Sequence, residues 1–496
     1  MEELKKALIY DRTKNPERSN ATFERVEEVL ENVLNSRSHE HIQNLKEILN
    51  KPASRLALNE EQANKIVSYL DDAGLSRRQV ADISAQLRYS EISTEEAIDI
   101  HRQYKIPVSH PEEDIIPVKG KGSWIMDTKG KWYLDLDSNY SATNLGMANH
   151  EIAQGLYNQA GLLISMKEDR IQIARTRFLK EIHSMMPSGL DQFYWQNSGG
   201  EAVDKSLKIA KAYTGTTQVI AFKGGFHGRT HGAVAVTWNE KYRKPFGLHE
   251  TGWVHFAEFN NLESVEKLLE ETGAKIIILE LVQGEEAGNR PATPEFVRGL
   301  WKLAGKYKAL IIDDEVQAGF GRTALKQGDW FACMSYDVVP DIMVIGKSFG
   351  GGYPVTAVVT KRKIGQAMKH GYDGSTFGGN PMAMTAALIA TRQMREKNVT
   401  GNVVKRSKQI FAGLQKLQKK YAVMGEISGI GLMFGFDLGS EANVQKLTHA
   451  LKENGVKVSL ATGSVIRFLP PTILSSGEAE FFLGQLDKAL AILANV

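Results

Sequence analysis

Six short apolar runs alternate with longer helix-patterned segments between residues 192 and 360, and this alternation limits the possible folds more than any other feature of the chain. The runs are QFYWQ (192–196), QVIAF (218–222), KIIILELV (275–282), ALIIDD (309–314), DIMVIG (341–346) and VTAVVT (355–360). Each is short, rich in β-branched and aromatic residues, and apolar on both alternating faces, as in strands buried within a sheet. Between them lie helical patterns such as Glu201 to Tyr213 and Pro294 to Tyr307. Strands alternating with helices predict crossover units and a mostly parallel sheet covered by helices, an α/β fold.

The flanks differ. Residues 1–104 read as a helical extension, with capping boxes at Asn59/Gln62, Ser76/Gln79 and Ser93/Glu96 and a stop at Gly74. The helix EEQANKIVSYLDDAG carries Ala63, Ile66, Val67 and Leu70 on one face. Prolines and glycines then separate strand-like runs at Ser123 to Asp127 and Trp132 to Leu136. After about residue 395 a long helix, ISGIGLMFGFDL, a second helix, SVIRFLPP and a final helix read as a smaller α+β domain. The expected organisation is an extension (1–104), a first segment of the small domain (105–165), a large domain (166–395) and a C-terminal small domain (396–496). A chain of 496 residues exceeds what one core holds.

Bulk properties exclude several classes. A net charge of +3 gives no support for nucleic acid or an anionic membrane as main partner. The single cysteine, Cys333, rules out an intrachain disulfide and a cysteine-based zinc site. No apolar run approaches the ~20 residues of a membrane span, and MEELKKALIYDRTKNPERSN lacks a signal core. A cytoplasmic protein is expected.

The chemistry-bearing residues gather where the runs end. ALIIDDEVQAGFGRT closes on Asp313, Asp314 and Glu315, at the carboxyl edge where α/β sheets bind ligands; the plainer alternative is a strand meeting water. DIMVIGKSFGGG places Lys347 after another run. Gly346-Lys347-Ser348 imitates a P-loop ending, but Asp341 occupies the required glycine position, so the nucleotide reading fails. GFGRTA (319–324) fits a loose dinucleotide pattern with no long helix after it. A lysine in a closed site can lose its proton and form a Schiff base. Ser198, Gly199 and Gly200 open a helix, as a phosphate cradle or as a plain serine cap. Phe226, flanked by glycines in KGGFHGRT, can lie on a ring-shaped ligand or serve as core. His227 and His231 have metal-ligand spacing, but Gly228 and the lack of a nearby carboxylate speak against a metal.

A lysine, an acid, a phosphate cradle and a stacking ring are together what pyridoxal phosphate requires. From Pro107 onward the chain resembles the class III aminotransferases of the fold type I pyridoxal-phosphate enzymes, on the motifs NSGGEA, GFHGRT, DDEVQAGFGRT, GKSFGGGYPV, GSTFGGNP and IRFLPP. The resemblance implies a large domain with a mostly parallel seven-stranded sheet and a smaller α+β domain. It makes Lys347 the Schiff-base lysine and Asp314 the acid at the pyridine nitrogen. Gln317 lies near the ring hydroxyl, Phe226 stacks, and His227 joins the cofactor pocket. Ser198, Gly199 and Gly200 hold the phosphate, and Thr376 reaches the phosphate of a neighbouring subunit. That implies a homodimer, or a tetramer built from it. Asp313 and Glu315 are expected to point away and make structural hydrogen bonds.

DLDSNYSATNLG, GFHGRT, VQGE and IRFLPP are further similar to ornithine δ-aminotransferases. On that likeness Tyr140 and Arg229 hold a donor's α-carboxylate, while Glu285 masks Arg467 until a dicarboxylate binds. The implied reaction is ping-pong transfer of a terminal amine to a 2-oxo acid such as 2-oxoglutarate. The chain departs from the pattern at GMANHE (146–151), Leu281 and Ala324, and no aromatic stands out in 160–175. The donor therefore stays open among ornithine, lysine, 4-aminobutyrate, a diamine or another ω-amino compound. A racemase, epimerase or aminomutase of the same fold is the rival reading, and a non-catalytic binding protein a more distant one.

Overall fold

The computed structural model describes residues 94–108, 114–459 and 463–494. The chain divides into two compact units, Met1–Ile116 and Pro117–Val496. In the first, the helix Thr94–Tyr104 is described, with Glu95 and Glu96 in its first turn and His101 and Arg102 in its last, the charge order that a helix dipole favours. The capping boxes at Asn59 and Ser76, residue Ser93 and the EEQANKIVSYLDDAG helix lie outside the described residues.

The second unit begins with three short strands, β1 (Pro117–Lys121), β2 (Trp124–Asp127) and β3 (Trp132–Asp135). Its central sheet contains β4 (Gln192–Gln196), β5 (Val219–Phe222), β6 (Val254–Ala257), β7 (Ile276–Leu279), β8 (Leu310–Asp314), β9 (Ile342–Ile345) and β10 (Thr356–Thr360). The spatial order is β4-β10-β9-β8-β7-β5-β6. Only β10 runs against the others, pairing antiparallel with both β9 and β4. The strand β6 was not among the six runs. Its residues Val254, His255 and Phe256 are half-buried, as befits a sheet edge, so no continuous apolar signal marks it.

Alternation along the buried strands sends side chains to two separate cores. Ile276, Ile278, Ile312 and Val344 pack on the face covered by Ala202, Val203 and Leu207 of helix α1 (Gly199–Thr214). Ile277, Leu279, Ile311 and Met343 pack on the opposite face with Phe296 and Leu300 of helix α2 (Pro294–Tyr307). Each fully buried aliphatic side chain contributes ~1.5–3 kcal/mol, which fixes the register that brings the strand ends level. The same alternation separates the three acids at the end of β8. Asp314 follows Ile312 to the α1 face, and Asp313 follows Ile311 to the other.

The smaller part of this unit holds β11 (Ile427–Ile430), β12 (Met433–Asp437), β13 (Val456–Lys457) and β14 (Val465–Phe468). Strand β13 pairs parallel with β3, so the segment before the central sheet and the segment after it share one sheet.

Candidate active site

The carboxyl ends of β4, β5, β8 and β9 surround a cavity of about 590 Å³, lined among others by Ser198, Gly199, Gly200, Phe226, His227, Asp314, Gln317 and Lys347. Each side chain is placed by the turn that ends its strand. After β9, Gly346 is extended and a Cβ there would stand 2.8 Å from Thr356 Cγ2. Lys347 follows with φ of 48°, a left-handed conformation costly for a side-chain-bearing residue. Its amine is buried, and burial lowers its pKa against the opposing pull of Glu285, Asp314 and Glu280. The lysine can therefore give up its proton at neutral pH more readily than an exposed one.

Asp314 is on the neighbouring strand. One carboxylate oxygen lies 2.8 Å from His227 Nδ1 and the other accepts the Val316 N–H at 3.2 Å. His227 Nε2 is buried without a partner, and so is the side-chain oxygen of Gln317. The carboxylate beside His227 is thus Asp314, distant in sequence, whereas His231 is exposed at the start of its own short helix.

Ser198 caps α1. Its hydroxyl accepts the Glu201 N–H at 3.3 Å, and the Glu201 carboxylate accepts the N–H groups of Asn197 (3.0 Å) and Ser198 (2.9 Å). The two readings of NSGG therefore divide between residues. The serine side chain and N–H are taken by a capping box, while Gly199 and Gly200, at the first two helical positions where N–H groups lack intrahelical partners, both line the cavity. Thr230 adds a buried hydroxyl without a partner, 3.1 Å from where a Gly200 Cβ would be. A phosphate fits these orphaned donors. The sequence offered no signal for Thr230 beyond its place at the end of GFHGRT.

Glu280, which follows β7, also lines the cavity. It is fully buried, accepts the Phe226 N–H at 2.8 Å and the Gly284 N–H at 3.2 Å, and burial pushes its pKa up to about 7. It thereby fixes the backbone of Phe226. Sequence reasoning passed over Glu280 because a lone acid after a strand has no distinguishing neighbour.

Asp313 and Glu315 point away from the cavity, next to Cys333. Glu315 accepts the Cys333 N–H at 2.9 Å. Asp313 departs from the expected structural hydrogen bonding, since neither of its oxygens receives a backbone donor. Burial and the adjoining Glu315 instead raise its pKa well above the ordinary range, so it keeps its proton.

Two arginines differ in how they are held. Arg467 is buried and donates to Glu285 at 3.1 Å. Arg229 lines the cavity, and its guanidinium lies 3.9 Å from the centroid of the Tyr242 ring. Tyr140 and Thr376 do not line the cavity in the single chain, and both are exposed. Tyr140 belongs to a run of four left-handed residues, Ser138 (42°), Asn139 (51°), Tyr140 (52°) and Ser141 (79°), of which Asn139 faces the cavity. Such a run persists only when its surroundings over-determine it. Arg322, fully buried, does this by donating to Ser141 Oγ (2.5 Å), Ser138 Oγ (3.1 Å), the carbonyls of Leu432 (2.7 Å) and Pro470 (2.9 Å), and Asn144.

A buried lysine, an acid on a histidine, orphaned helix-start N–H groups and a glutamate-anchored phenylalanine define a pyridoxal-phosphate site of the aminotransferase kind. The Aminotransferase class-III family model matches residues 106–490, and the chain belongs to that family. It is a pyridoxal-phosphate-dependent aminotransferase. Among curated relatives, it is 36% identical over 397 residues to the acetylornithine aminotransferase of Archaeoglobus fulgidus, covering 80% of this chain and 99% of that protein. It is also 36% identical over 378 residues to the LysW-aminoadipate semialdehyde/glutamate semialdehyde transaminase of Sulfolobus acidocaldarius, covering 76% and 95%. Among solved structures, the ornithine aminotransferase from Toxoplasma gondii superposes with a TM-score of 0.76 at 25% identity, covering 81% of this chain and 95% of that one. Among the described residues no helix is long and apolar enough to cross a membrane.

Proposed function

We propose that the protein moves the terminal amine of a carboxylate-bearing donor such as acetylornithine to 2-oxoglutarate, leaving the donor as a semialdehyde. The observation that carries this is the contrast between the arginines. Arg229 keeps its donors for a ligand, whereas Arg467 is masked by Glu285 at 3.1 Å. A donor with one carboxylate is held by Arg229 alone, so its far amine reaches Lys347. A dicarboxylate acceptor recruits Arg467 when Glu285 swings away. Two curated relatives are named for acetylornithine and for aminoadipate and glutamate semialdehydes, the amine and carbonyl sides of reactions of this kind.

Bound pyridoxal phosphate supplies an electron sink for the carbon that loses its proton. The chain's residues do the rest. Asp314, oriented by His227, would face the ring nitrogen and favour its protonated form. Gly199, Gly200 and Thr230 would hold the phosphate, Phe226 would stack on the ring, and Gln317 would lie near its hydroxyl. Lys347 Nζ, buried in the cavity, would be the group that takes and returns the proton at the reacting carbon. Each site is completed in a homodimer, in which Thr376 reaches the phosphate of the other subunit. Support for this comes from the exposed apolar residues Leu162, Ile164, Ile171 and Ile173, with Phe377 beside Thr376 in sequence, a density of bare apolar side chains that marks an interface.

The test is a panel of amines on the holoenzyme, following the cofactor's visible absorbance and the dependence on 2-oxoglutarate. N-acetylornithine or ornithine is expected to outperform carboxylate-free amines, and Lys347→Ala to abolish turnover. Amine returned to the donor without any need for 2-oxoglutarate would overturn the reading.

A further inference from the structure

We infer that Tyr242 is a positioning residue for donor selection, holding the Arg229 guanidinium by its ring so that every N–H of that group is left for the substrate carboxylate. The inference rests on the reading of Arg229 as the carboxylate clamp, and it concerns how that clamp is kept in place.

An arginine at the edge of a cavity must be restrained to bind well, because its long side chain loses much rotamer freedom on binding. The usual restraint is a carboxylate. Arg467 has one, in Glu285, and is masked by it. Among the described residues Arg229 has no such ion pair and makes no hydrogen bond. Its guanidinium is instead stacked 3.9 Å from the Tyr242 centroid, with Phe226 at 5.3 Å. A ring attracts the cation through its face and occupies none of the five donors. The edge of the guanidinium is then free for a two-pronged contact with a planar carboxylate. An acid at position 242 would bind the same arginine and compete with the substrate.

Tyr242 is itself fixed. It belongs to the short helix Glu240–Arg243, capped by Asn239, whose side chain also donates to Glu286 at 2.7 Å. On its other side Arg243 is buried and donates to the Trp238 carbonyl at 2.7 Å. The edge of the Tyr242 ring also meets Phe226, at 6.0 Å between centroids and 83° between planes. Tyr242 therefore touches both the aromatic that sets the cofactor plane and the arginine that receives the carboxylate.

The test uses holoenzyme and the amine-donating half-reaction alone, followed by the cofactor's absorbance, with N-acetylornithine and with putrescine, which has no carboxylate. A second readout is calorimetric binding of N-acetylnorvaline, which carries the carboxylate but no reactive amine. Tyr242→Leu is expected to weaken the apparent affinity for N-acetylornithine and for N-acetylnorvaline about fivefold, with the limiting rate kept and putrescine unaffected. Tyr242→Phe keeps the ring and should restore wild-type behaviour. Arg229→Lys keeps the charge but loses the plane, and should fall with Tyr242→Leu. In Arg229→Gln, adding Tyr242→Leu should cost nothing further. If Arg229→Gln itself leaves both carboxylate ligands unaffected, the clamp reading fails and takes this inference with it. If Arg229→Gln weakens them while Tyr242→Leu does not, the clamp stands and the role of Tyr242 is overturned. Should Tyr242→Leu not fold, equal affinities for Arg229→Lys and wild type would overturn it as well.

Discussion

Replacing Glu280 by glutamine should change how stability depends on pH, by an amount that follows from where the residue sits. Burial at the end of β7 raises its pKa from an ordinary 4.5 to about 7, although it accepts the N–H groups of Phe226 and Gly284. Below pH 4.5 the carboxyl is protonated in both folded and unfolded chains and contributes no pH dependence. Between 4.5 and 7 the unfolded chain releases the proton while the fold retains it, so unfolding becomes progressively easier as pH rises. Above 7 the loss is complete, at about 3 kcal/mol. Glutamine has the same shape and does not titrate. The difference in Tm between Glu280→Gln and wild type should therefore move in favour of the variant between pH 5 and 7.5, by roughly 4 °C for a unit of this size. The assay is thermal unfolding of cofactor-free enzyme across that range, so that no phosphate charge is added to the cavity. Parallel curves, whatever their offset, would refute the argument that burial governs this carboxyl.

Three further outcomes are expected. Glu285→Ala unmasks Arg467, so 2-oxoglutarate should bind more tightly and α-amino donors such as glutamate should gain relative to N-acetylornithine, as read from kcat/KM ratios. Asp314→Asn removes the charge facing the ring nitrogen and should lower the rate about 10²-fold or more, seen in single-turnover traces, while the protein stays folded. Arg322→Lys cannot reach the five acceptors that the guanidinium serves and should cost ~3–5 kcal/mol, visible as a lowered Tm.

Lys347 and Asp314 were legible because each stands at a sharp boundary, an apolar strand ending in a charged residue and a glycine-rich turn. Sheet order then made neighbours of residues 33 positions apart, since β8 and β9 pair with Asp314 opposite Val344. What could not be read depended on contacts distant in sequence or on backbone conformation. The sequence around His227 and His231 spoke against a metal for want of a nearby carboxylate, but it could not show that Asp314, 87 residues away, lies against His227. The left-handed run at 138–141 contains only one strong turn former, Asn139, and is imposed by Arg322. Tyr242 is an ordinary tyrosine in NEKYRKPFG until folding brings Arg229 onto its ring.

The three acids that end β8 show how far a period-two strand separates roles that look alike in sequence. Asp314 emerges on the α1 face with a histidine and a backbone N–H to hold its charge. Asp313 and Glu315, one residue to either side, emerge on the opposite face, where burial raises both pKa values, that of Glu315 to about 7. A proton held there lowers the negative charge gathered at the end of β8. Neither member of the pair lines the cavity. Asp313→Asn, which fixes the neutral form of its neighbour's partner, should leave turnover near wild type at pH 7. Asp313→Lys would force a longer side chain into a sealed site already filled by Glu315 and Cys333 and should prevent folding, as judged by recovery of soluble protein.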